Sequence, residues 1–94
     1  MHRIILTRRA RADLDRLHDF IAKQSPRSAR RAVQRIIEGV DLLLLFPRSG
    51  VVVEGDTRTL TIKFGRSGYV VRYQIAGDDI IITRIWHGKE NHPR

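Results

Sequence analysis

The spacing of apolar residues changes at Pro47 from a helical period to a period of two, and this change most narrows what the chain can fold into. Upstream, Ala10, Leu14, Leu17 and Ile21 recur at spacings of four, three and four, which predicts a helix to about Lys23, with Thr7 as its N-cap. Ser25-Pro26 ends this helix and starts another, because Ser caps and Pro is preorganised for the first helical position. The second helix is expected from Pro26 to about Leu45. Its stripe from Ala29 to Leu44 is wide enough to face both the first helix and a sheet. Gly39, which costs about 1 kcal/mol relative to Ala inside a helix, points to a close packing contact.

Downstream, Leu60, Ile62 and Phe64 alternate with Thr59, Thr61 and Lys63, and Tyr69, Val71, Tyr73 and Ile75 alternate with Val70, Arg72 and Gln74. Turn sequences at 65–68 and 77–79 join these strands into hairpins, and a last strand runs from Ile80 to about His87. Arg3 to Leu6 reads as a short first strand, and Pro47 to Thr57 as an exposed loop or short edge strand. Residues 88–94 read as a frayed, flexible tail. The expected architecture is one α+β domain over residues 1–94, ordered β-α-α-β-β-β. An antiparallel helix hairpin packs on a small antiparallel sheet, leaving the other sheet face for function.

The absence of cysteine removes disulfides, thiolate metal sites and a Cys nucleophile, and suits a reducing compartment. Ile4-Ile5-Leu6 is too short for a signal sequence or a membrane span, so a cytoplasmic protein with no membrane role is expected. His2, His18 and His92 show no metal-ligand spacing, and neither a metal nor another cofactor is expected.

Eighteen basic residues, fifteen of them Arg, stand against ten acidic ones, a formal charge of +8 spread over both halves of the chain. Such a balance suits a polyanionic partner or simply a solubilising surface; arginine, whose guanidinium pairs carboxylates and phosphates bidentately, tilts it toward binding. Arg27, Arg30, Arg31 and Arg35 crowd the start of the second helix, where the macrodipole disfavours cations, and read as a surface for an acidic partner or as a solvated face. Arg58, Arg72 and Arg84 lie on strands and read as a functional basic patch. With Trp86, His87 and Lys89 they form the candidate target-binding set. Trp86, on the opposite strand face from His87, is either a partner anchor or sheet cover. The charges of the first helix, Asp13 among them, read as its solvated side.

Several local motifs, taken in order, resemble the RelE/ParE superfamily of type II toxins, and its ParE branch in particular. They are Ala12-Asp13-Leu14 through Phe20-Ile21-Ala22 to Ser25-Pro26, Phe46-Pro47-Arg48-Ser49-Gly50, Arg58-Thr59-Leu60, Tyr69-Val70-Val71-Arg72-Tyr73, and Ile82 to Lys89. The sequence departs from the pattern at Val51, where the family often has Arg, and at Lys89, where its tail commonly reads His-Gly-Arg.

The resemblance implies a toxin of the kind linked to plasmid stabilisation, held inactive by an acidic antitoxin, in the ParE branch one of ribbon-helix-helix type. Freed, a ParE-like toxin inhibits DNA gyrase without acting as an enzyme. RelE-like relatives instead cut mRNA on the ribosome without a metal, which needs a base, an acid and cations for the phosphorane charge. For that chemistry the candidates are Arg58, Lys63, Arg72, Arg84 and His87. The RelE-like C-terminal tyrosine and a paired-lysine motif are missing, so gyrase inhibition is the expected activity and ribonuclease the alternative.

Overall fold

The computed structural model describes residues 2–90. Strand β1 (Arg3–Leu6) leads into helix α1 (Arg8–Ala22) and helix α2 (Pro26–Asp41), which runs out in a 3-10 turn, Leu42–Leu44. Strands β2 (Val51–Glu54), β3 (Thr57–Phe64), β4 (Ser67–Ala76) and β5 (Asp79–His87) follow. Both helix starts are capped as the sequence predicts: Thr7 Oγ1 accepts from Ala10 N–H and Ser25 Oγ from Ser28 N–H, each at 3.1 Å.

The sheet order is β1-β5-β4-β3-β2. β2 to β5 pair antiparallel, as the alternating pattern requires, but β1 joins β5 in parallel, with Ile4 opposite Ile80 and Leu6 opposite Ile82. The sheet is therefore mixed, because three antiparallel returns leave β5 running in the direction of β1 beside it. The stretch after Pro47 contains the short edge strand β2, and all four of its residues are exposed.

α1 packs along β5 and α2 over β3, so one sheet face carries the core of Leu17, Ile36, Leu43, Ile62, Val71, Tyr73, Ile80, Ile82 and Ile85. Tyr73 is fully buried; its hydroxyl donates to Pro47 O at 2.8 Å and accepts from Gly50 N–H at 2.9 Å, which fixes the Pro47–Gly50 turn. Residues 88–90 are not frayed: Gly88 N–H donates to Gly68 O at 2.8 Å and Glu90 pairs with Arg16. Residues 91–94 of the expected tail, His92 among them, lie outside the described residues. Among the described residues, no helix is long and apolar enough to cross a membrane.

Gly39 is buried where α2 crosses β3, and a Cβ there would stand 2.5 Å from Ile62 Cδ1 and 2.7 Å from Cγ1. Helix propensity alone favours Gly39→Ala by about 1 kcal/mol, but overpacking a core costs about 1–3 kcal/mol. Urea unfolding is expected to show Gly39→Ala destabilised by about 1 kcal/mol, and less so when combined with Ile62→Val, which removes the obstructing methyl.

Candidate functional site

The face of the sheet turned away from the helices forms an open groove of about 980 Å³. Thr57, Thr59 and Thr61 of β3 and Val70, Arg72 and Gln74 of β4 line it, with Arg84 and Trp86 of β5. β5 reaches this face through a bulge: Tyr73 pairs with Ile82 but Arg72 with Arg84, so Thr83 is an extra residue. The bulge reverses the parity of the strand. Ile80 and Ile82 face the core before it and Ile85 after it, which sends Arg84 and Trp86 to the open side. There the Arg72 guanidinium lies 5.0 Å from the centre of the Trp86 ring, and Trp86 is only 2% exposed.

The residues expected to act together fall on two sides of the sheet. Arg72 and Arg84 line the open groove. Arg58, in register with buried Tyr73, points the other way and donates to the carbonyls of Arg48 and Gly50 at 3.1 and 2.9 Å. His87 is edge-on to Tyr69 at 5.4 Å, and both line a separate recess beside α1 with Lys89. Lys63 is exposed near the end of β3 and does not line the groove. Arg27, Arg30, Arg31 and Arg35 form one cationic hollow on α2, closed at one side by Phe64. Trp86 covers the sheet beneath Arg72, while Lys89 is exposed.

Arg84 does not project freely. Its guanidinium donates to both carboxylate oxygens of Asp13, at 2.9 and 3.2 Å, and its side chain is 16% exposed. Asp13 is only 4% exposed, contrary to its reading as part of a solvated helix flank. Burial pushes its carboxyl pKa up, but hydrogen bonds from Arg84, the Ile85 N–H and Arg16 outweigh that and hold it below the usual value. The Ile85 N–H donates to Asp13 Oδ2 at 2.8 Å, and Arg16 donates to Ile85 O at 3.3 Å. β1 ends at Leu6, leaving the outer side of the second half of β5 without a strand, and α1 side chains take up its edge groups. Sequence spacing gave no sign of this, because i,i+3 and i,i+4 charge pairs are also what an exposed helix flank shows. Among the described residues no three His, Asp or Glu cluster as metal ligands would.

A sequence model of the ParE toxin of type II toxin–antitoxin systems matches residues 4–92. The chain belongs to the ParE toxin family. It is 37% identical to "Toxin RelE1" of Caulobacter vibrioides over 87 residues, 93% of this chain and 94% of that one. It is 34% identical to "Putative toxin Y4kP" of Sinorhizobium fredii, covering 98% and 94% of the two chains. Among solved structures, a chain of the "Chromosomal ParDE TA system from P. aeruginosa" superposes with a TM-score of 0.78 at 33% identity, covering 93% of this chain and 96% of that one. The β-α-α-β-β-β-β layout described above is thus the ParE-family fold, and the chain is a type II toxin of the wider RelE/ParE group.

The Asp13 node makes stability depend on pH with a definite sign. A carboxyl whose pKa is lower folded than unfolded contributes stability above about pH 4, which is lost as pH falls through the folded value. Asp13→Asn is expected to cost about 3 kcal/mol near neutrality, since it leaves Arg84 without its counter-charge, and to flatten the acid limb of the stability curve. Thermal melts of both proteins across about pH 3 to 7 measure both effects.

Proposed function

We propose that this chain is a toxin held inactive by an acidic cognate antitoxin of ribbon-helix-helix type, and that when free it inhibits DNA gyrase by binding, without catalysis. The observation that carries the reading is the composition of the open groove. Its described lining offers threonines, Gln74, the Arg72–Trp86 pair and Arg84, but no His, Tyr or Lys, and Glu54 is its single carboxylate. Phosphodiester cleavage needs a base and an acid on opposite sides of the reacting phosphate. Such a surface is suited to holding a macromolecule and poorly suited to moving protons. The solved neighbour, titled as a ParDE toxin–antitoxin system, supports an antitoxin partner, and the charge of +8 supports an acidic one.

One observation favours the ribonuclease alternative. Tyr69 and His87, opposed across β4 and β5, place a phenol and an imidazole in one recess with Lys89, and three relatives are named Toxin RelE1, RelE2 and RelE3. The two readings part in vitro. Purified protein is expected to inhibit gyrase supercoiling and to leave mRNA intact on translating ribosomes; the reverse pattern would establish the ribonuclease.

Within the gyrase reading, Arg72 and Arg84 separate by measurement. Arg72→Ala is expected to abolish growth inhibition with a small change in melting temperature, because a cation resting on an aromatic ring contributes only about 1 kcal/mol. Arg84→Ala is expected to lower melting clearly, since it strands buried Asp13. Toxicity scored beside thermal unfolding tests both, and an Arg72→Ala protein that stays toxic removes the open groove from the mechanism.

A further inference from the structure

At the end of the sheet opposite β1, β2 lies outermost, and among the described residues only β3 pairs with it. Val51, Val52 and Val53 are 70%, 53% and 56% exposed, and no Lys or Pro interrupts the run. Edges are commonly blunted by such residues, because a row of free N–H and C=O groups is a template for another strand. Val51 stands opposite Thr59 and Val53 lines the open groove, whereas Val52 stands opposite Arg58 on the other side. The valines therefore coat both faces of the ribbon.

The charge of this segment narrows what can cover it. Over residues 48–58 two guanidinia, Arg48 and Arg58, stand against two carboxylates, Glu54 and Asp56, so the stretch is neutral on a chain of +8. A polyanion gains nothing there. Arg48, Glu54 and Asp56 are exposed and form no ion pair among the described residues. Arg48 precedes the strand and the carboxylates stand at its end, so an antiparallel mate of the same sequence sets each Arg48 beside the other copy's Glu54 and Asp56. A twofold axis through an antiparallel pair also requires opposed residues to share a face. With Val52 on the axis, Val51 of one copy meets Val53 of the other, and both belong to the open side. The ribbon thus matches itself in charge at both ends and is apolar between them.

We propose that β2 is a self-association edge, at which two copies of this chain pair antiparallel about a twofold axis normal to the sheet. The pairing joins two five-stranded sheets into one of ten and leaves both open grooves on the same side. It goes beyond the target reading above and does not depend on what the groove holds. The bulge between Val52 and Glu54 keeps the regular ribbon short, so the interface is small and the dimer reversible, with a Kd on the order of 10–100 µM. A target that presents two sites is held more tightly by the pair, through effective concentration, than by one chain.

Sedimentation equilibrium of the purified full chain tests this, from about 5 to about 500 µM at about 0.3 M salt, which screens the repulsion between like-charged copies. A reversible monomer–dimer equilibrium is expected. Val51→Arg, which adds a cation to each side of the ribbon, should be monomeric throughout at unchanged melting temperature. Arg48→Asp and Asp56→Arg, made singly, should each raise Kd about tenfold, and the two together should restore it, because the exchanged charges meet again across the axis. Net charge cannot mimic that pattern, since Arg48→Asp lowers the repulsion between copies yet weakens the dimer. An original chain that stays monomeric at every concentration overturns the proposal. A dimer that Val51→Arg leaves intact, or a double variant no better than the single ones, overturns it equally.

Discussion

Where β1 stops at Leu6, β5 continues for five more residues, and the backbone groups along its outer side need partners that no strand provides. Asp13 meets that need. One carboxylate accepts the Ile85 N–H, holds the Arg84 guanidinium in two hydrogen bonds and draws in Arg16, which in turn bonds Ile85 O and Glu90. Thr7 does the same one step earlier, its hydroxyl donating to Thr83 O, and Glu90 one step later, accepting from His87 N–H. A helix side is thus stitched to a sheet edge by side chains, and both candidate surfaces depend on it. The open groove takes Arg84 as part of its wall, and the recess takes Arg16 and Glu90.

The elements were largely legible in the sequence. Thr7 and Ser25-Pro26 marked both helix starts, the alternation through 59–64 and 69–75 gave two strands, and the glycine turns joined them. Gly39 was legible as a packing contact, and Ile62 is what it meets. What was not legible is what depends on pairing at long range. The parallel union of β1 with β5 leaves no trace in a four-residue apolar run, and strict alternation would have placed Arg84 and Trp86 with Ile80 and Ile82 in the core.

The site was less legible than the fold for the same reason. Three strand arginines read as one patch because sequence spacing does not say which face a residue takes once a bulge intervenes. Arg58 instead secures the turn before β2, and Arg84 secures α1. Asp13 was missed because its neighbours along the helix, Arg9 and Arg16, supply the usual exposed-helix explanation. Its bidentate partner, Arg84, is 71 residues away.

The sealing of β5 also gives the sheet a direction in which it can grow. Side chains of Thr7, Asp13, Arg16 and Glu90 occupy the hydrogen-bonding groups that an added strand would use on that side, and β1 offers only four residues. At the opposite end β2 presents Val51, Val52 and Val53 with its outer backbone unpaired by any described strand. A fibre built strand on strand needs two matching open edges per molecule, and among the described residues β2, though no longer than β1, is the one edge strand exposed at every residue. Extension through β2 therefore closes at a single added strand or at two copies about a twofold axis.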